Sequence, residues 1–167
     1  MTFDSVSAEV HRIFGSATKL AEDFSHRQFG NDHVFLAMLE GDHQSLYSIL
    51  RDHKDRAKEA HGIVCDLSDS MFFKKKRGRV KLPTATREFI RAREGAVRLA
   101  RELDGPLAEP LARHLLEAML REAQTAQQLG EPSNLMALLK SLGIDDDDLL
   151  GRVYVNNVLL APVMVEN

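Results

Sequence analysis

A chain of 167 residues, 44% hydrophobic and 28% charged, is long enough to bury a real core as one domain or two small subdomains. Its net charge of −3 is too small to hold nucleic acid or an anionic membrane as the main partner. The lone Cys65 excludes an intramolecular disulfide, Met1 to Ser5 lacks the basic and apolar regions of a secretion signal, and no apolar run approaches the ~20 residues that span a bilayer. A cytoplasmic chain with an inert thiol is expected.

In chain order, Val10, Ile13, Phe14, Ala17, Leu20, Ala21 and Phe24 recur at spacings of three and four, which predicts a long first helix with one apolar stripe. Asp4 or Ser5 can cap it. Gly30 ends the connection that follows. Asn31 is expected as the N-cap of a second helix, with Asp32 in its first turn facing the positive end of the dipole, and Gly41 closes that helix after Glu40. Leu46, Ile49 and Leu50 mark a short third helix, and Ala57, Ala60, His61 and Val64 a fourth.

Residues 68–83 crowd Lys74, Lys75, Lys76, Arg77, Arg79 and Lys81 together, a density of like charge that resists packing and reads as a solvated basic linker. A nucleic-acid reading of this run is the weaker one, because the rest of the chain is acidic and no stacking platform accompanies it. Helical pattern resumes at Thr84 after Pro83, where Phe89, Ala92, Ala96, Leu99, Ala100 and Leu103 repeat the first stripe. Gly105-Pro106 interrupts it, and the next helix is expected from about Glu109-Pro110. Leu135, Leu138, Leu139 and Leu142 form another, stopped by Gly143. The acidic run Asp145 to Asp148 lacks the ligand alternation of a calcium loop and suits the start of a last helix. Residues 154–167, with several β-branched residues and Pro162, read as a tail of unassigned conformation.

These elements are one unit written twice, over 1–67 and 84–153. Gly30 to Leu39 returns in Ala112 to Leu120: His33 and His114 are 81 positions apart, and the same offset superposes Ala37-Met38-Leu39 on Ala118-Met119-Leu120. Upstream, Glu9, Arg12, Ala17, Leu20 and Ala21 meet Glu88, Arg91, Ala96, Leu99 and Ala100 at an offset of 79; downstream, Leu46, Gly62 and Val64 meet Leu135, Gly151 and Val153 at 89. Growing offsets mean insertions in the second copy, expected in loops, with most of the extra length between Arg121 and Pro132. An all-α fold of repeats follows.

No reaction chemistry emerges. The chain has no Gly-x-x-x-x-Gly-Lys-Ser/Thr, no His-Glu-x-x-His, no cysteine pair for zinc and no Gly-x-Ser-x-Gly. His53 and His61 are eight apart without an evident third ligand. His33 and His114 hold equivalent places just inside a helix, which suits a polar side chain tying a helix start to its repeat better than two metal sites. No metal, cofactor or catalytic residue is expected.

The two registered copies resemble the Clp N-terminal domain, the double-repeat module in front of the AAA+ rings of ClpA-, ClpB- and ClpC-type unfoldases. Gly30-Asn-Asp-His-Val-Phe-Leu-Ala-Met-Leu39 is similar to the family's Gly-Thr-Glu-His-Leu-Leu-Leu-Ala-Leu-Leu, and Ala17 to Ala21, Ala96 to Ala100 and residues 138–144 also fit; the likeness covers about residues 3–153. It implies two pseudo-symmetric four-helix repeats and a non-catalytic module that recruits substrate proteins, degrons or adaptors for an ATPase ring. Some members read phosphorylated arginine through a Thr-Glu pair, at Asn31-Asp32 and Ala112-Arg113 here. Arg113 reverses the charge, so any such reading is at best halved. Complementarity to the helix dipole is the favoured explanation of Asp32. The family's apolar groove would fall near Phe3, Phe14 and Leu82, of which Phe14 lies on the core stripe. Three hypotheses follow: a stand-alone module of the Clp system, with a Clp ATPase among its partners; the N-domain of a larger ATPase such as a ClpV-like unfoldase; or a helical regulator that binds nucleic acid through the basic run. The first is the reading adopted, with protein partners, no membrane and no nucleic acid expected.

Overall fold

The computed structural model describes residues 7–69 and 82–160. The first repeat contains α1 (Ala8–Asp23), the two-residue strand β1 (Gln28–Phe29), α2 (Asn31–Glu40), a 3-10 turn (Gln44–Leu46), α3 (Tyr47–Leu50), a second 3-10 stretch (Arg51–Arg56) and α4 (Ala57–Asp69). The second contains β2 (Thr84–Ala85), α5 (Arg87–Asp104), α6 (Ala112–Gln128), α7 (Asn134–Leu142) and α8 (Asp146–Leu159). The fold is all-α, two four-helix repeats of the same order.

Most of each stripe is buried as its spacing predicts, while Leu99 and Leu103 of α5 stay half-buried. Val10, Ile13, Phe14, Ala17, Leu20 and Ala21 are buried on α1, and Phe89, Ala92, Ala96 and Ala100 on α5. α2 is buried from Asn31 through Leu39, and the first part of α6 from Ala112 through Leu120. A helix buried on every side belongs at the centre of a fold. The flanking helices pack on these two: α1 on α2, α5 on α6, α4 on α2 and α8 on α6.

The repeats also interlock. α4 packs on α7 of the other repeat and α8 on α3, so one continuous core serves both. β1 and β2 pair in parallel, Gln28 with Thr84 and Phe29 with Ala85. Beyond that pair the Thr86 amide donates to the Phe29 carbonyl (3.0 Å), and at the equivalent place in the other half the Ser7 amide donates to the Pro110 carbonyl (3.4 Å). The sequence offsets are thus the signature of a pseudo-two-fold axis.

Several boundaries differ from the sequence expectation, each for a local reason. Gly30, not Asn31, is the N-cap of α2, because Asn31 turns its amide across to Glu88 and His33 supplies the cap acceptor. Thr84 lies in β2, and Thr86 caps α5 by accepting from the Phe89 amide (3.2 Å). α6 starts at Ala112, after Leu111. The extra residues of the second copy do not form a loop: they lengthen α6, which runs to Gln128 where α2 stops at Glu40. α8 continues to Leu159, into the stretch read as a tail. Gly143, at φ 69°, ends α7, and Asp145 caps α8. α1 is capped by Ser7, which accepts from the Val10 amide (3.3 Å), where the sequence expectation is Asp4 or Ser5. Phe3, Asp4, Ser5, the run Lys74 to Lys81 and residues 161–167 lie outside the described residues.

Candidate functional site

The motif residues that carry the repeat are interior. The Gly30 amide donates to His33 Nδ1 (3.0 Å) and the Leu111 amide to His114 Nδ1 (2.9 Å), one half of a capping box, with histidine in the position that glutamate or glutamine usually takes. An accepting Nδ1 leaves the proton on Nε2. His33 Nε2 therefore points its N–H at His26 Nδ1 (2.9 Å), and His26 Nε2 in turn at the Cys65 carbonyl (3.1 Å). In the second repeat His114 Nε2 stands 3.1 Å from Asp104 Oδ2, close enough for an ion pair but off hydrogen-bond alignment. Burial and the neighbouring Arg113 charge push the His114 pKa down from 6.5 to about 4, so it is neutral at pH 7.

Arg113, only 5% exposed, donates to Asn157 Oδ1 (2.9 Å) and Asp104 Oδ2 (3.3 Å); Asn157 returns bonds to the Arg113 carbonyl (3.2 Å) and Glu117 Oε1 (3.0 Å). Asp32 is 2% exposed, with Oδ1 3.3 Å from His33 Nδ1. Asn31 donates to Glu88 Oε1 (3.2 Å). Neither Asn31-Asp32 nor Ala112-Arg113 therefore presents a charged group to solvent. Phe14 is in the core, edge-on to Phe89 with ring centroids 5.0 Å apart. Leu82 is 85% exposed with φ 57°.

Two equivalent carboxylates brace these helix starts. Glu9 accepts from the Ala112 amide (2.8 Å), the Ser45 amide (3.1 Å) and the Ser45 hydroxyl. Glu88 accepts from Asn31 and the Ser133 hydroxyl (3.1 Å). Each thus joins the first helix of its repeat to the start of the third and to the second helix of the other repeat. Burial opposes ionisation of both. At Glu9 the hydrogen bonds from Ser45 and Ala112 outweigh it and the pKa falls; at Glu88 burial prevails over the bonds from Ser133 and Asn31 and the pKa rises.

Two open grooves lie at equivalent places in the two repeats. One, of about 580 Å³, follows α1 and α2 and is lined by Arg12, Ser16, Lys19, Leu20, Asp23, Ala37, Glu40, Asp42, His43 and His61 among others. The other, of about 510 Å³, follows α5 and α6 and reaches α8. The offset of 79 carries Arg12, Ser16, Lys19, Leu20 and Asp23 onto Arg91, Gly95, Arg98, Leu99 and Glu102, and the offset of 81 carries Ala37 onto Ala118. The walls nevertheless differ. In the first groove His61 bonds Glu40 (2.8 Å), Lys54 reaches Asp42 (3.3 Å) and the Gly41 carbonyl, and the setting is polar. In the second, Leu99 and Leu103 of α5 face Tyr154 and Val158 of α8, which are 51% and 46% exposed. Sequence reasoning placed none of these four in a site. The i, i+4 spacing of Tyr154 and Val158 was the available signal, hidden by reading the stretch as a tail.

Among the described residues no group of three His, Cys, Asp or Glu is placed to hold a metal, and no helix is long and apolar enough to cross a membrane.

No protein-family model matches the chain, and no curated protein does. Solved structures do. The N-terminal domain of the caseinolytic-protease-associated chaperone ClpD from Arabidopsis thaliana superposes with a TM-score of 0.70 at 15% identity, covering 93% of this chain and 96% of that one. The N-domain of ClpV from Vibrio cholerae gives 0.61 at 14%, covering 92% and 86%. The complex of a ClpV N-domain with a VipB peptide gives 0.59 at 16%, covering 92% and 88%. The chain has the fold of the Clp N-terminal domains.

Proposed function

We propose that this chain is a non-catalytic protein-interaction module of the Clp unfoldase and protease system, which binds substrate proteins, degrons or adaptors. The fold supports the reading, as does a neighbour in complex with a peptide. The observation that carries it is the groove of the second repeat, where Tyr154 and Val158 leave apolar surface open beside Leu99 and Leu103. Polar-rimmed apolar surface of this kind marks interaction sites. The module works either alone or as the N-domain of a longer ATPase chain, and a Clp-type AAA+ ATPase is among its partners.

The test is affinity capture from native lysate, with the wild type beside Tyr154→Ala/Val158→Ala and beside Leu82→Ala, because Leu82 marks the other exposed candidate surface. Enrichment of a Clp-type ATPase, its protease or a set of client proteins is expected. Capture of DNA alone, with the steep salt dependence of counterion release, would contradict the reading.

A further inference from the structure

Resting on the reading of the chain as a protein-binding module, we infer that the groove between α5, α6 and α8 takes an amphipathic helical segment of a partner, with an acidic and a basic residue one turn apart bordering its apolar face. The walls supply the first half of this. Leu99 and Leu103 on one side, and Tyr154 and Val158 on the other, are pairs four residues apart, so each wall repeats at one helical turn. Gly95 and Ala118 keep the space between them shallow and free of large side chains: a Cβ at Gly95 would already touch the Ala118 Cβ at 3.4 Å. A partner helix laid there buries side chains at positions i, i+3, i+4 and i+7, the usual register of helix-in-groove recognition.

The rim supplies the second half. Two of its arginines are engaged within the groove, Arg91 with Glu122 (3.1 Å) and Arg121 with Glu117 (3.1 Å). Arg98 and Glu102 also line the groove, and among the described residues neither makes an ion pair. They sit at i and i+4 of α5 in the order Arg-then-Glu, the less favourable direction for pairing along a helix. A cation and an anion one turn apart are therefore left facing the groove, and their complement is an acid and a base one turn apart on the occupant. A second copy is a poorer occupant, because a stable dimer requires about 800 Å² per partner, more than one groove of this size offers.

The experiment uses the whole chain and a fluorescein-labelled 14-residue helical peptide with leucines at i, i+3, i+4 and i+7 flanked by one Glu and one Lys four positions apart. Saturable anisotropy is expected, weakened about tenfold by Tyr154→Ala and by Leu103→Ser. Changing the peptide's Glu to Lys should weaken binding about fivefold and Arg98→Glu should restore it; changing its Lys to Glu should do the same, with Glu102→Lys restoring it. Absence of coupling in these cycles, binding that follows Lys19→Glu in the first groove, self-association lost on Tyr154→Ala, or no saturable binding by the native chain would each overturn the inference. If the peptide fails while lysate partners are still captured, the occupant is wrong and the module reading stands; if both fail, both fall.

Discussion

The two grooves rest on equivalent helices and equivalent small floor residues, Ala37 and Ala118, and both carry charged side chains on their rims, yet only the second adds Tyr154 and Val158 of α8 as an apolar wall. What the two copies share is what builds them: Glu9 and Glu88 as braces, His33 and His114 as caps, and the buried second helices. What they do not share lies on the surface of α8 and around the helix starts. The comparison teaches that matching positions between the repeats report on folding, and that a site is to be sought where the copies part.

The sharpest way to break the comparison is at the helix starts, where Asp32 and Arg113 stand at equivalent positions. Arg113→Leu strands Asp104 and Asn157 in a buried cluster and should cost about 3–4 kcal/mol in urea unfolding. Asp32→Asn removes a carboxylate at a helix start and should cost about 1 kcal/mol. Equal losses would mean that the second repeat's polar cluster contributes nothing particular to its half.

His114 gives a pH signature of the same cluster. Its folded pKa is depressed from 6.5 to about 4, so its contribution is complete above about pH 6.5 and is lost as the pH falls toward about 4, where the unfolded chain takes up the proton first. An NMR titration should find His114 still neutral at pH 5.5. In the first repeat His43, pushed down mainly by burial, adds a loss of the same sign.

The paired braces should respond with opposite signs. Glu9 has a lowered folded pKa, so its stabilisation is present above 4.5 and disappears as the pH falls through the folded value; Glu9→Gln should cost about 2 kcal/mol at pH 7. Glu88 has a raised folded pKa, so its charge opposes folding at neutral pH, and Glu88→Gln should stabilise by up to about 1 kcal/mol. Denaturant midpoints of both variants check this pair. The smallest change in stability, within about 0.5 kcal/mol, is expected for Tyr154→Ala, a half-exposed side chain whose role is at the surface.

Much of the fold was legible because a repeat states its own constraints. The offsets between Glu9 and Glu88 and between His33 and His114 mark one helical unit written twice, and the structure relates the two copies by a pseudo-two-fold axis. Finer features were hidden by competition for side chains. Asn31 has the usual chemistry of an N-cap, but its amide is drawn to Glu88 across the axis, a contact no local pattern reveals. The inserted residues join α6 because Ala123 and Ala126 continue a buried face, so length was added to a helix and not to a loop. The groove was missed because Tyr154, Val155 and Val158 are β-formers by composition, while Asn157, bonded to Arg113 and Glu117, fixes that stretch as the end of α8. Charge at Asp32 and Arg113 looked available to a ligand; burial takes both inside.

The central claim, that partners are held at the second repeat's groove, is tested most directly by site-specific photocrosslinking. Tyr154 and His61, which line the second and the first groove, are each replaced by photoreactive benzoylphenylalanine and irradiated with native lysate, and the joined peptides are identified by mass spectrometry. Crosslinks from position 154 to an amphipathic helical segment, with none from position 61, are the predicted result. Crosslinks from position 61 alone, or equally from both, would contradict it.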